Sequence, residues 1–276
     1  MHNHFLSYKN SRISYYRFGA GPKTALCFHG YGEDGTAYRF LEKYAGDHYT
    51  FIAIDLPFHG QTQWNEKLPF TTEDLQQLLE KLFGQNNLKP LNLLNIKPSL
   101  IGFSLGGRIA LSLYQACPAH IEKLVLLAPD GLKVNFWYWL ATGTRIGNRL
   151  FAFTMKHPGW FLGFLRGLNQ LRLVNGSIFK FVNHYIGDEK VRRQLYERWT
   201  GLRKLSPDAQ SNKTAIRQYH TPVRLIYGRH DRIIRSDRAE KFRRGIEEHC
   251  TITILPSGHQ VLQEKHAAEI VAALFH

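Results

Sequence analysis

The chain has 276 residues, 43% of them hydrophobic and 21% charged, the ordinary balance of a globular protein and enough length for one large domain with an insertion. No run of about 18 apolar residues is present to span a membrane as a helix. Three widely spaced cysteines, Cys27, Cys117 and Cys250, argue against a disulfide framework, fit a reducing cytoplasm and lack the spacing of metal ligands.

The net charge of +14 is unevenly placed: residues 131–220 hold 15 Lys and Arg against 4 Asp and Glu, a net +11, and the rest of the chain contributes only +3. A basic excess of this kind suits an anionic surface, a nucleic acid or an acidic substrate.

The opening "MHNHFLSYKN" has neither the apolar core nor the cleavage pattern of a signal peptide. "RISYYRFG" has strand-like density of β-branched and aromatic residues, and "GAGP" turns the chain. "TALCFHG" and "TFIAIDL" are short apolar runs of the kind that form strands buried on both faces. Between them "TAYRFLEKYAG" reads as a helix ending at Gly46. "TTEDLQQLLEKLFG" reads as another, with Thr71 as cap, Asp74 three residues on and Gly84 as its end. "PSLIGFS" is a strand, "GGRIALSLYQAC" a helix stopped by Pro118, and "EKLVLLAP" a further strand. "TPVRLIYG" and "CTITILP" are the last two strands, and "HQVLQEKHAAEIVAALF" a closing amphipathic helix.

Strands alternating with helices predict an α/β protein with a mostly parallel sheet covered by helices on both faces. The segment 131–220 breaks the rhythm. It is helical in flavour, rich in Trp, Phe, Arg and Gly, and reads as an insertion between a core of 1–130 and 221–276.

Gly102-Phe103-Ser104-Leu105-Gly106 lies between a strand and a helix. A serine nucleophile on so sharp a turn is forced toward a strained backbone, and flanking side chains would collide with neighbouring backbone. The helix N-terminus then directs free N–H groups at an anion forming beside it.

With this G-x-S-x-G element in its strand-turn-helix setting, the sequence resembles the α/β-hydrolase family over essentially its whole length. The resemblance implies a serine nucleophile, an acid and a histidine in that chain order. "YGRHD" puts Asp231, and "LPSGH" puts His259, just after the last two strands. "CFHGYG" resembles the family's oxyanion loop, which implies an oxyanion hole made by the N–H groups of Tyr31 and Leu105. "DLPFHGQT" resembles a loop that shapes the site without joining the chemistry. Asp130 in "LLAPDG" is a second candidate acid, since some members place theirs after the preceding strand. His29 and His59 are expected to hold loops, and Cys27 to be a small core residue.

The resemblance makes 131–220 a helical cap that sets substrate choice. Its aromatics either pack cap helices together or, with its Lys and Arg, meet an anionic membrane. It carries no recognisable nucleic-acid reading motif. The implied activity is cleavage of a carboxylic ester or related acyl bond through an acyl-enzyme, with no cofactor or metal. Serine at the nucleophile position disfavours dehalogenase and epoxide hydrolase chemistry. Cofactor-free perhydrolase chemistry uses the same three residues.

"GFSLGGR" also resembles the elbow of the menaquinone-pathway synthase that eliminates pyruvate, in which an arginine at the position of Arg108 holds a substrate carboxylate. That gives a lyase as the alternative activity. A ligand-binding receptor on the same fold is a further alternative.

Overall fold

Among the described residues eight strands form one sheet: His2–Tyr8 (β1), Ser11–Phe18 (β2), Lys23–Phe28 (β3), Tyr49–Ile54 (β4), Ser99–Phe103 (β5), Lys123–Leu127 (β6), Val223–Gly228 (β7) and Cys250–Leu255 (β8). Their spatial order is β1-β2-β4-β3-β5-β6-β7-β8. The first two pairings, β1 with β2 and β2 with β4, are antiparallel, and all others are parallel. The computed structural model describes residues 2–66, 69–85, 96–133, 136–171 and 185–276.

The central strands are buried because they carry runs of consecutive apolar residues, Ala25–Phe28, Leu100–Phe103 and Leu124–Leu127, rather than alternating ones, as expected for a parallel sheet covered on both faces. Leu26, Phe28, Leu100, Ile101 and Leu126 are fully shielded from solvent. In-register pairing of Phe28 with Gly102, Phe103 with Leu127 and Gly228 with Leu255 aligns the carboxyl ends of β3, β5, β6, β7 and β8 along one edge. Loops leaving that edge are where ligands of open α/β sheets bind.

The described α-helices are Leu41–Ala45 (α1), Thr72–Gln85 (α2), Leu105–Ala116 (α3), Phe136–Gly143 (α4), Arg145–Lys156 (α5), Gly159–Gln170 (α6), Glu189–Gly201 (α7), Ala209–Tyr219 (α8), Asp237–Arg243 (α9) and Ala267–Phe275 (α10). None is long and apolar enough to cross a membrane. Thr71 and Asp74 cap α2 reciprocally, Asp74 N–H donating to Thr71 Oγ1 and Thr71 N–H to Asp74 Oδ2.

Several elements depart from the sequence expectation. β1 is additional, closed onto β2 by a two-residue turn in which Lys9 takes φ +52°. The helix expected over 36–46 is a 3₁₀ turn, Gly35–Tyr38, followed by the short α1. Gly84 does not end α2, which continues to Gln85. The closing helix starts eight residues late: 259–263 form tight turns, with Val261 N–H on His259 O and Gln263 N–H on Val261 O, because that stretch holds His259 at the sheet edge.

The chain divides into two compact units, one of the described residues in 1–66, 71–133 and 205–276, the other of those in 67–70 and 134–204. The expected insertion of 131–220 is thus too long at its C-terminal side. α8 belongs with the sheet because Asn212 is fully buried and donates to Gln115 Oε1 on α3, which also accepts from Asp208 N–H.

In the second unit, α5 and α7 pack through Phe151 against Tyr196 and Trp199, and Tyr138 Oη donates to the Trp199 carbonyl.

Asp208 caps α8 by accepting from Ser211 N–H at 2.7 Å. Replacing such a cap by alanine typically costs about 1 kcal/mol. Asp208→Ala is therefore expected to lower the free energy of unfolding by that amount, read in urea as a lower midpoint with the m-value unchanged.

Candidate active site

β5 ends at Phe103 and α3 begins at Leu105, so Ser104 alone must reverse the chain. It does so at φ +50° and ψ −113°, a conformation that L-residues rarely adopt and that costs of order 1–3 kcal/mol. Neighbouring backbone fixes it: Ser104 N–H donates to Leu127 O at 2.9 Å, while Ser104 O accepts from Gly107 N–H at 2.9 Å and Asp130 N–H at 2.8 Å. The two outer glycines follow from close approach. A Cβ on Gly106 would lie 1.7 Å from Phe28 O, and one on Gly102 would lie 2.5 Å from Gly106 O.

His259 reaches Ser104 from the loop after β8. Its Nε2 lies 3.0 Å from Ser104 Oγ, and its Nδ1 lies 2.7 Å from Asp231 Oδ2. A carboxylate only accepts, so Nδ1 carries the ring proton and Nε2 is left to accept from the serine hydroxyl. Asp231, in the loop after β7, is held as firmly as the ring it faces. Its Oδ1 accepts from Ile233 N–H at 2.7 Å and Ile234 N–H at 2.9 Å, and its side chain has no exposed surface.

The second candidate acid is placed elsewhere. Asp130 Oδ1 accepts from Gly131 N–H, and its Oδ2 lies 3.7 Å from Nε of Arg108. Arg108, the candidate for holding a substrate carboxylate, is buried beside that carboxylate.

The loop after β3 carries Tyr31, and Leu105 opens α3, where the first N–H groups have no intrahelical acceptor. His29 is fully buried. Its Nε2 accepts from Leu56 N–H at 3.0 Å, so Nδ1 is the protonated nitrogen and donates to Gly30 O at 2.8 Å. Burial holds His29 below the ordinary histidine range. Asp55, also fully buried, joins the same loops by accepting from Gly35 N–H and Gln61 N–H. His59 is buried, with Nδ1 2.9 Å from Pro57 O. Cys27 is a buried core residue whose thiol burial pushes well above its usual range.

One connection escapes a reading of the sequence. Glu33 Oε2 accepts from Gly30 N–H at 3.0 Å, and its Oε1 accepts from Gln260 Nε2 at 2.6 Å. Glu33 thus ties the loop bearing Tyr31 to the residue after His259. The only local signal is that both polar side chains sit within three residues of a motif residue. Among the described residues, no group of three or more His, Cys, Asp or Glu is placed to hold a metal ion.

Residues 25–273 match the alpha/beta hydrolase family. An uncharacterized hydrolase of Bacillus subtilis (strain 168), YugF, is 23% identical over 247 residues, which cover 89% of this chain and 86% of that one. A pimeloyl-acyl-carrier-protein methyl ester esterase of Aeromonas salmonicida is 28% identical over 147 residues, 51% of this chain and 52% of the esterase. The solved structure of a thermophilic esterase from Thermogutta terrifontis superimposes with a TM-score of 0.66 at 18% identity, covering 100% of this chain and 97% of that one. At that identity the structural likeness speaks for the fold.

His29 must stay neutral in the folded chain, whereas the unfolded chain protonates it near its ordinary pKa of about 6.5. The unfolded state then binds more protons below that pH, so stability is full above about pH 6.5 and falls as pH drops. Urea unfolding of wild type between about pH 7 and 5 is expected to lose up to roughly 1.4 kcal/mol per pH unit from this group. The slope should be smaller in His29→Asn, and equal slopes would contradict the assignment.

Proposed function

The chain belongs to the alpha/beta hydrolase family, and we propose that it is a serine hydrolase cleaving a carboxylic ester or related acyl bond through an acyl-enzyme. The observation that carries this reading is the hydrogen-bonded series from Ser104 Oγ to His259 Nε2 and from His259 Nδ1 to Asp231, on a turn that holds the half-buried serine at the carboxyl edge of the sheet.

A serine hydroxyl is a weak nucleophile at neutral pH and needs an adjacent base. In the proposed reaction Oγ bonds to the acyl carbon while its proton passes to His259 Nε2. Asp231 stabilises the imidazolium and holds its orientation. The N–H groups of Tyr31 and Leu105 are assigned to the carbonyl oxygen as it gains charge, where loss of one donor typically costs about 10²–10³ in kcat. Collapse of the tetrahedral intermediate expels the alcohol, which takes the proton from His259. Water then attacks the acyl-enzyme with His259 again as base, releasing the acid and restoring Ser104.

The ester class draws support from the methyl ester esterase relative. The lyase alternative needs Arg108 for a substrate carboxylate, and the placement of Arg108 beside Asp130 favours a structural role for it.

Turnover of p-nitrophenyl esters from acetate to palmitate tests the assignment. Ser104→Ala is expected to abolish hydrolysis and Asp231→Asn to lower kcat by about 10⁴. Asp130→Asn should stay within about tenfold of wild type, a far smaller loss than removing the partner of the base. The reverse ranking of the two aspartates would move the acid to Asp130. An inert wild type across the series would overturn the ester reading in favour of the lyase or the receptor.

A further inference from the structure

A surface helix ordinarily turns only its polar face to water, and α5 turns an apolar stripe to water as well. Its inward face is occupied within its own unit: Phe151 meets Tyr196 and Trp199, Asn148 Nδ2 donates to Thr200 Oγ1, and Thr154 and Met155 are buried. The opposite face carries Ile146, Leu150 and Phe153, which are 82%, 53% and 52% exposed. Their i, i+4, i+7 spacing makes them one continuous stripe.

The neighbouring helices repeat the pattern. α6 exposes Trp160 and Phe164 four residues apart, and α4 exposes Phe136 and Leu140 at the same spacing. Of the sixteen large apolar side chains exposed among the described residues, ten lie in 136–171. Exposed apolar surface concentrated in this way marks a place of interaction.

Charge selects the partner. Residues 136–171 contain Arg145, Arg149, Lys156 and Arg166 and no Asp or Glu. Arg145 and Arg149 each precede a stripe residue by one position, roughly 100° around the helix, so with Lys156 they form an exposed basic row along one flank of the stripe. A second copy of the chain would set these like charges against themselves. A nucleic acid would leave the apolar stripe in water. An anionic bilayer neutralises the row while its headgroup–acyl boundary receives the stripe, with Trp at headgroup depth.

We propose that the α4–α6 segment docks on an anionic lipid bilayer, with Ile146, Leu150 and Phe153 entering the headgroup–acyl boundary and Arg145, Arg149 and Lys156 meeting lipid phosphates. The contact is independent of the chemistry proposed for Ser104, because it is read as binding rather than turnover.

The test is co-sedimentation of the whole chain with vesicles of phosphatidylcholine alone and of an equal mixture with phosphatidylglycerol. The wild type is expected to partition into the mixed vesicles at least about tenfold more strongly. Arg145→Gln with Arg149→Gln should weaken that binding by about thirtyfold, from the contribution of each basic side chain near a charged surface. Ile146→Ser with Leu150→Ser should abolish it while leaving the unfolding temperature unchanged, since both side chains are exposed in the free protein.

Absence of binding to the mixed vesicles would overturn the proposal. So would binding that is indifferent to the Ile146/Leu150 pair, which would mean adsorption by net charge alone. A wild-type dimer that becomes monomeric in that variant, with no affinity for lipid, would assign the face to a second copy instead.

Discussion

The constraint on which the rest of this structure depends is the approach of the Ser104 turn to the ends of β3 and β6. Ser104 is held at positive φ because Leu127 O, Gly107 N–H and Asp130 N–H take up its backbone groups on both sides. Phe28 O leaves no room for a Cβ at Gly106. Strain of this kind persists only where the surroundings over-determine it. Here the surroundings are the most deeply buried strands of the sheet, so packing energy spread over the core keeps one side chain on a sharp turn. The parallel register then brings the loops after β7 and β8 to the same edge, where Asp231 and His259 meet the serine.

A second layer of contacts keeps those loops in step. His29 and Asp55 bind backbone N–H groups of Leu56, Gly35 and Gln61, so the loop bearing Tyr31 and the one running from Asp55 to Thr62 are fixed to each other. Glu33 extends the connection to Gln260. Each member is a hydrogen bond of modest net worth, but an unsatisfied buried partner would cost more than the bond contributes. The loops therefore hold one arrangement, which is what a reaction depending on donors placed to within a fraction of an ångström requires.

The parts legible in the sequence were those with local signals. Apolar runs of five or six residues announce strands buried on both faces, glycines around Ser104 announce the tight turn, and Asp231 and His259 each follow a strand. What stayed hidden is set by tertiary context. β1 is polar at several positions, and its turn, Lys9-Asn10, puts a lysine rather than a glycine or asparagine at the positive-φ position, so alternation and turn chemistry mark it only weakly. The pattern of the last helix continues into 259–263, but those residues are claimed by the loop that carries His259. α8 reads like the helices before it, and its contacts with Gln115 and with the carbonyls of Lys241, Arg244 and Gly245 assign it to the sheet unit. The Glu33–Gln260 pair spans 227 residues, a separation no local pattern encodes.

The central claim is that His259 and Asp231 activate Ser104 as a nucleophile, and covalent labelling addresses it most directly. The protein would be treated with a fluorophosphonate and the adduct located by peptide mass. The account predicts rapid formation of a single adduct on Ser104, slowed by orders of magnitude in His259→Ala. An adduct on another residue, or labelling of Ser104 at the same rate without the imidazole, would contradict it.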